Sequence, residues 1–207
     1  MPGLTFVSGW AGYRRLFDGL ACQQFFLPFI DCAPEALCAR LRAGSSDILA
    51  GWSFGAFCIL RDLPQLLPRY KKIVLFAPFL SFSRWHEKQD LDRLTTALAT
   101  HPQTALHAFW RTCGCERTCR IPAKDYPLLR AGLTCVQKSR ALPAACSGAQ
   151  LTFVHGGKDK IVPPRATQEL QQSYPEAATY FLPQNGHWFS PRKIHEFCHE
   201  TTHSKRL

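Results

Sequence analysis

The sequence lacks the segments that would direct a chain into or across a membrane. It has no apolar run long enough to span a bilayer, and no basic start followed by a long hydrophobic stretch. These two absences argue against a transmembrane helix and a secretory signal, so we expect a cytoplasmic protein. No internal repeat or low-complexity tract is present, and the 46% of apolar residues supply a core for one domain of 207 residues.

Acidic residues are scarce. The chain holds 15 Asp and Glu against 25 Lys and Arg, which gives a net charge of +10. Half of this excess falls in residues 80–146, with ten basic against five acidic side chains. Because no helix-turn-helix, zinc-finger or base-stacking motif accompanies the charge, we do not expect nucleic acid as the partner. An acidic protein or an anionic substrate explains the excess more simply.

The ten cysteines are scattered through apolar segments of a chain that has an ample core. We therefore interpret them as buried thiols in a reducing compartment. Cys113, Cys115 and Cys119 form a cluster that would bind zinc if Cys135, Cys146 or His107 completed the set. The spacing matches no strong zinc pattern, so we expect free thiols and no metal.

Strands that alternate with helices are predicted over most of the chain. Strands are predicted at 4–7, 48–50, 72–77, 151–155 and 179–182, a further apolar run at 25–30, and helices at 34–41, 56–67, 164–173 and 191–200. This alternation predicts an α/β fold with a mostly parallel sheet and helices on both faces. Residues 80–146 differ, because helices are predicted at 84–99, 104–112 and 126–142 without a strand between them. We interpret this segment as a helical lid inserted into a single domain.

Residues 51–55 (GWSFG) join an apolar strand to an apolar helix. In a G-x-S-x-G nucleophile elbow the chain turns sharply from strand to helix, with the serine at the tip. Ser53 would then present its hydroxyl at the carboxyl edge of the sheet, where the N-terminus of the helix favours an oxyanion. An ordinary Gly-Ser turn is the alternative, but the strand before and the helix after favour the elbow.

A serine nucleophile requires an imidazole base and a carboxylate that orients it. In elbow-type hydrolases these follow the serine in the order acid, then histidine, each on a loop after a strand. Asp159 and His187 fit this order. The competing acids fall on predicted helices (Asp62, Asp90, Asp92, Asp125), and we expect surface or core roles for six other histidines (His86, His101, His107, His195, His199, His203). A solvated loop position is the alternative for Asp159.

An oxyanion hole needs two N–H donors near the nucleophile. Phe54, directly after Ser53, would supply one donor. The loop after the first strand would supply the other at Trp10, unless Trp10 is only a core aromatic residue.

Four motifs carry a family resemblance: SGWAG at 8–12, GWSFG at 51–55, GGKDKIVP at 156–163 and NGHW at 185–188. Together with a helical lid they resemble the α/β-hydrolase superfamily over nearly the whole chain. More narrowly, the chain is similar to the pimeloyl-[acyl-carrier protein] methyl ester esterases of biotin synthesis, which share the G-W loop, the G-W-S-x-G elbow and an F-C-H segment, here 197–199. Ser8 stands where that family has a histidine, and the chain starts at the strand leading into this loop, without the opening strands of larger members.

The resemblance implies a cofactor-free serine carboxylesterase with Ser53, Asp159 and His187 as its triad. It also implies oxyanion donors at Trp10 and Phe54 and an acyl pocket lined by Trp10 and by lid residues (Phe109, Trp110, Arg111, Thr112). The substrate would be the methyl ester of pimeloyl-[acyl-carrier protein].

The basic lid would dock the acidic carrier protein through Arg111, Arg117 and Arg120, unless these side chains form only a solvated helix face. We expect a monomer that binds neither nucleic acid nor membrane. A general short-chain esterase or thioesterase, and a catalytically silent binding protein with a hydrolase fold, remain the alternatives.

Overall fold

A computed structural model describes residues 2–199. Its strands form one sheet, and they are β1 (Leu4–Val7), β2 (Gln24–Phe26), β3 (Ile48–Trp52), β4 (Lys72–Phe76), β5 (Leu151–Gly156) and β6 (Ala178–Leu182). Their spatial order is β2-β1-β3-β4-β5-β6, and every neighbouring pair is parallel. The predicted parallel sheet is confirmed. Because all six strands point the same way, their carboxyl ends meet along one edge.

The helices are α1 (Pro34–Ala43), α2 (Phe54–Arg61), α3 (Leu63–Leu66), α4 (Lys88–Thr100), α5 (Pro102–Thr112), α6 (Tyr126–Lys138), α7 (Arg165–Ser173) and α8 (Pro191–His199). Short 3₁₀ helices occur at Arg14–Phe17 and Ala123–Asp125. The helix predicted at 191–200 is seen through His199, and Glu200 lies outside the described residues. Within residues 2–199, no helix has both the length and the apolar character needed to cross a bilayer.

Both faces of the sheet are covered. Trp52 and Phe76 are register partners, so their side chains share one face. On that face Trp52 packs against Phe17 of the first 3₁₀ helix, and Phe76 packs against Phe197 of α8. The preceding residue, Gly51, faces helix α2 on the opposite side. All residues of β1 and β3 are buried, as expected for strands covered on both faces.

Residues 80–146 form a helical excursion between β4 and β5. Helix α4 packs against both α5 and α6. The two ends of the excursion meet, because Ser81 and Arg140 form an isolated antiparallel bridge and the Ala141 N–H donates a 2.8 Å hydrogen bond to the Leu80 carbonyl. The chain therefore leaves the sheet and returns to it at one place, as an inserted segment must.

Some predicted helix boundaries are wrong. The helix predicted from residue 84 begins at Lys88, because Phe82 and His86 stack in a turn with ring centroids 4.4 Å apart. The helix predicted to residue 142 ends at Lys138, since the residues after it pair with 80–81. The helix predicted at 56–67 begins earlier, at residue 54, and is divided near Pro64, which has no N–H to continue it.

Candidate active site

Ser53 lies at the turn between β3 and α2. Its backbone has φ 54° and ψ −118°, a conformation that side-chain-bearing residues rarely adopt. Its N–H donates a 2.8 Å hydrogen bond to the Phe76 carbonyl, which fixes the turn against the end of β4. This turn is the sharp strand-to-helix corner that the GWSFG sequence predicts.

The glycine two residues after the serine allows α2 to begin directly against the end of β1. A Cβ atom at Gly55 would overlap the carbonyl oxygens of Val7 and Ser8. A Cβ at Gly51 would lie 2.6 Å from the Ile59 side chain of α2. The spacing of the two glycines around Ser53 therefore has a steric cause in this chain.

Ser53, His187 and Asp159 form one hydrogen-bonded chain. Nε2 of His187 lies 2.8 Å from the Ser53 Oγ, and Nδ1 of His187 lies 2.7 Å from the Asp159 Oδ2. The side chains of His187 and Asp159 are buried, and Ser53 is 8% exposed. Because an ionised carboxylate only accepts, Nδ1 carries the imidazole proton and Nε2 can accept one from the serine.

Both oxygens of the Asp159 carboxylate have hydrogen-bond partners. Its Oδ1 accepts hydrogen bonds of 2.8 Å from the N–H groups of Ile161 and Val162. Its Oδ2 contacts His187 and lies 3.4 Å from Nε2 of His155. Burial on its own would raise the pKa of this carboxyl, but the two imidazoles outweigh burial and hold the pKa well below its ordinary value. Asp159 is therefore ionised wherever the protein is folded near neutral pH.

The sequence pattern assigns no role to His155, yet this residue supports Asp159. It is completely buried near the end of β5. Its Nδ1 lies 2.7 Å from the Thr167 Oγ1 on α7, and its Nε2 lies 2.9 Å from the Val162 carbonyl. His155 thus ties the loop of Asp159 to a neighbouring helix. A histidine at the end of a buried strand, directly before two glycines, is the signal that could have found it.

The two loops that carry Asp159 and His187 touch through their backbones. A Cβ atom at Gly156 would overlap the carbonyl oxygens of Asn185 and Gly186. A tight turn lies here, since the Asp159 N–H donates a 3.1 Å hydrogen bond to the Gly156 carbonyl, but neither Gly156 nor Gly157 has a positive φ. Close approach to residues 183–186 is a further physical reason for the two glycines.

Of the two predicted oxyanion donors, Phe54 adjoins Ser53 in the chain, and Trp10 belongs to a loop that approaches Ser53. Phe54 follows it at the start of α2, and Gly9 is so near that a Cβ on it would lie 3.0 Å from the Ser53 Cβ. Among residues 2–199, no hydrogen bond uses the backbone N–H of Trp10 or of Phe54. The N–H of a first helical residue has no carbonyl partner within its own helix. Both N–H groups can therefore bind a ligand oxygen.

The predicted pocket residues on α5 have different surroundings. The ring of Phe109 packs edge-on against Trp10 at 4.9 Å. Trp110 is 1% exposed, and its Nε1 donates a 3.0 Å hydrogen bond to the Ala11 carbonyl. Arg111 and Thr112 are exposed. The structure therefore brings the two aromatic residues to the loop of Trp10 and leaves the two polar residues on the surface.

The arginines predicted to dock a carrier protein are all exposed: Arg111, Arg117 and Arg120. No ion pair within residues 2–199 involves them. Arg117 donates a 2.8 Å hydrogen bond to the Asp18 carbonyl. Their charges are thus unneutralised by neighbouring carboxylates of the described chain.

Three of the competing acids have partners of their own. Asp62 pairs with Arg61 at 2.6 Å, Asp90 pairs with Arg93 at 3.6 Å, and Asp125 accepts a 2.8 Å hydrogen bond from the Tyr13 hydroxyl. In the described chain the acid that reaches His187 is Asp159.

The cysteines are free thiols. Burial raises the pKa of Cys113 well above its ordinary value and raises that of Cys119 to about 11, so both remain protonated near neutral pH. Within residues 2–199, no group of three or more histidine, cysteine or acidic side chains is arranged to hold a metal ion.

Comparison with known proteins identifies the fold. No protein-family model and no curated protein sequence matches the chain. A carboxylesterase of the thaumarchaeon Nitrososphaera gargenis superposes with a TM-score of 0.64 at 15% identity, covering 95% of this chain and 86% of that one. The esterase RhEst1 of Rhodococcus sp. ECU1013 superposes with a TM-score of 0.56 at 16% identity, covering 95% of this chain and 90% of that one. The RedJ thioesterase of the Streptomyces coelicolor prodiginine pathway superposes with a TM-score of 0.60 at 17% identity, covering 89% of this chain and 82% of that one. The chain therefore has the α/β-hydrolase fold.

Proposed function

We propose that the chain is a serine hydrolase that cleaves a carboxylic ester or thioester. The observation that carries this proposal is the hydrogen-bonded chain from Ser53 through His187 to Asp159 at a strained strand-to-helix turn. The two free N–H groups beside Ser53 support it, because acyl transfer develops negative charge at that position. The structural neighbours described as carboxylesterases and as a thioesterase add support at the level of the fold.

Acylation follows from this geometry. His187 Nε2 takes the proton of Ser53 while the serine Oγ forms a bond to the carbonyl carbon of the substrate. The carbonyl oxygen becomes an oxyanion, which the N–H groups of Trp10 and Phe54 stabilise. One such donor contributes about 3 kcal/mol to the transition state. When the intermediate collapses, the bond to the alcohol or thiol breaks, and the leaving group takes the proton from His187.

Deacylation uses the same groups. His187 takes a proton from water, whose oxygen attacks the acyl-enzyme carbonyl, and the second oxyanion is held by the same two N–H groups. Collapse breaks the bond to Ser53, which regains its proton from His187, and the acid product leaves. Throughout, the Asp159 carboxylate holds the imidazole in one tautomer and stabilises its charged form.

A simple experiment tests this proposal. Ser53→Ala should lower the hydrolysis of p-nitrophenyl butyrate by about 10⁴-fold or more, with unchanged circular dichroism. A fluorophosphonate should label wild type at Ser53, as located by mass spectrometry, and His187→Ala much more slowly. An alanine variant that keeps most of its activity, or a wild-type chain that is neither labelled nor active on esters and thioesters, would contradict the proposal. The second result would favour a binding protein.

The finer proposal concerns the substrate, which we take to be the methyl ester of pimeloyl-[acyl-carrier protein], with methanol as the leaving group. Support comes from the motif resemblance and from the exposed Arg111, Arg117 and Arg120, which present positive charge that an acidic carrier protein would complement. The segment that carries them adjoins the loop of Trp10. A carrier bound there would deliver its acyl chain close to Ser53.

A further inference from the structure

The helical segment at 80–146 contacts the loop that carries Trp10, one of the two proposed oxyanion donors. Three hydrogen bonds join the segment to residues 10–13: Trp110 Nε1 to the Ala11 carbonyl at 3.0 Å, the Tyr13 hydroxyl to Asp125 Oδ2 at 2.8 Å, and Trp10 Nε1 to the Leu129 carbonyl at 2.9 Å. The partners come from α5, from the 3₁₀ helix at Ala123–Asp125 and from α6. Three elements of the segment thus converge on four consecutive residues.

The hydrogen bonds of Trp10 and Trp110 are buried, and the one from Tyr13 is partly buried. Trp10, Trp110 and Asp125 are all buried. Burial, followed by the hydrogen bond to Asp125, raises the pKa of Tyr13 far above its ordinary value. The tyrosine therefore stays protonated and donates to the carboxylate. Because Trp10, Trp110 and Asp125 are buried, water replaces a lost partner poorly, and breaking any of these bonds is costly.

The loop needs outside support because its own conformation is unfavourable. Ala11 has a φ of 54°, in the left-handed region that alanine rarely adopts. Within the loop, the Ser8 hydroxyl donates to the Gly12 carbonyl at 2.6 Å and the Tyr13 N–H donates to the Ala11 carbonyl at 3.1 Å. The Ala11 carbonyl that receives this bond is the same one that Trp110 holds.

We propose that Trp110, Tyr13 and Asp125 are positioning residues, which hold this strained loop so that the Trp10 N–H faces the oxyanion formed at Ser53. The proposal rests on the proposed function, because the oxyanion exists only if Ser53 attacks a carbonyl. It gives the helical segment a specific role, because the segment completes the oxyanion hole. Loss of the three side-chain contacts alone would leave the hydrogen bonds of the triad in place but the hole with one well-placed donor.

The test compares three tyrosine or tryptophan variants in the full-length chain. Tyr13→Phe removes one donor and keeps the ring, whereas Trp110→Phe removes one donor and replaces the indole with a smaller phenyl ring. Tyr126→Phe is the matched control, since its hydroxyl bonds to Gln103 and to the Ile121 carbonyl, both inside the segment. Tyr13→Phe and Trp110→Phe should lower kcat on p-nitrophenyl butyrate about ten- to a hundredfold, with KM nearly unchanged, because a displaced donor acts on the transition state. Tyr126→Phe should retain kcat.

A conservative change at Asp125 distinguishes the effect of its hydrogen bond with Tyr13 from the effect of its negative charge. Asp125→Asn keeps an amide oxygen that accepts from Tyr13, so its kcat should stay near that of wild type, whereas Asp125→Ala should match Tyr13→Phe. If Trp110→Phe does not fold, the pair Tyr13→Phe and Asp125→Asn carries the test, because Tyr13 is only half-buried. Equal losses of kcat in Tyr13→Phe and Tyr126→Phe would overturn the proposal.

Amide hydrogen exchange gives a readout that does not depend on activity. Exchange of a peptide covering residues 8–13 should accelerate in Tyr13→Phe and Trp110→Phe and stay unchanged in Tyr126→Phe. Unchanged exchange in all three variants overturns the proposal. A wild-type chain that hydrolyses no ester and takes no fluorophosphonate at Ser53 refutes the proposed function and, with it, the catalytic meaning of the loop contacts. The exchange measurement still decides whether those contacts hold the loop.

Discussion

Nε1 of Trp52 donates a 2.7 Å hydrogen bond to the carbonyl oxygen of His187, so the residue before Ser53 holds the backbone of His187. The two rings also pack with centroids 5.3 Å apart. Trp52 is buried, and the bond is therefore shielded from water. The distance between Ser53 and His187 is fixed both by this backbone contact and by the contact between their side chains.

Trp52→Phe should therefore weaken both stability and activity. The change keeps an aromatic ring but leaves the buried His187 carbonyl without its donor, which should cost about 1–3 kcal/mol of unfolding free energy. The looser histidine should lower kcat on a small ester by about tenfold. Urea unfolding and steady-state kinetics measure the two effects. Trp188→Phe is the matched control, because Nε1 of Trp188 has no partner among the described residues. Equal effects of the two changes would contradict a specific role for the Trp52 bond.

Much of this arrangement could be predicted because it depends on local sequence. Residues 51–55 specify a sharp turn through their own glycines, and β1 is seen at the residues predicted for it. The chain order of Ser53, Asp159 and His187 suffices to propose their proximity, since parallel strands bring their following loops to one edge. The structure places the three side chains in contact.

The contacts that support the triad could not be predicted, because they join residues far apart in the chain. Trp52 reaches a carbonyl 135 positions away, and Trp110 reaches one 99 positions away. An indole in an apolar segment predicts burial but not the partner of its N–H. For the same reason Trp110 was expected to line a pocket, and the pattern did not show that its N–H is bonded to the loop at residues 10–13.

The strained backbone at Ser53 gives a prediction about stability. At φ 54° and ψ −118° an alanine is as strained as the serine, whereas glycine adopts this conformation readily. Relief of about 1–3 kcal/mol of strain should exceed the roughly 1 kcal/mol that glycine adds to the entropy of the unfolded chain. Ser53→Gly should thus be more stable than Ser53→Ala by about 1 kcal/mol, and both should be inactive. Urea unfolding checks this, and a less stable glycine variant would mean that the turn is unstrained.

The depressed pKa of Asp159 predicts how stability depends on pH. Below the ordinary value of 3.8 the unfolded chain binds a proton at this carboxyl, whereas the folded chain does not. The stabilisation from Asp159 is therefore complete above about pH 5 and declines as the pH falls further. Between about pH 4 and pH 3 wild type should lose more unfolding free energy than Asp159→Asn, because the other carboxyls are common to both. Parallel losses in urea unfolding would show that the pKa of Asp159 is not depressed.

The basic surface predicts a difference between two substrates. Changing Arg111, Arg117 and Arg120 together to glutamate should raise KM for pimeloyl-carrier methyl ester by about tenfold or more, because the charges attract an acidic carrier. The difference from wild type should shrink as salt screens that attraction. Hydrolysis of p-nitrophenyl butyrate should be almost unchanged, since a small neutral ester does not need the protein surface. Initial rates at low and high salt provide the measurement.

Lys71→Glu is the control for a charge reversal remote from Ser53. Lys71 is exposed, pairs with Asp47 at 2.9 Å, and precedes β4 at the sheet edge opposite Ser53. Lys71→Glu should therefore leave the initial rates on both substrates unchanged. Equal losses on both substrates in the triple variant would mean that the arginines support the fold of the helical segment. Because the triad itself does not distinguish one ester from another, no loss on either substrate would leave a general esterase or thioesterase as the better assignment.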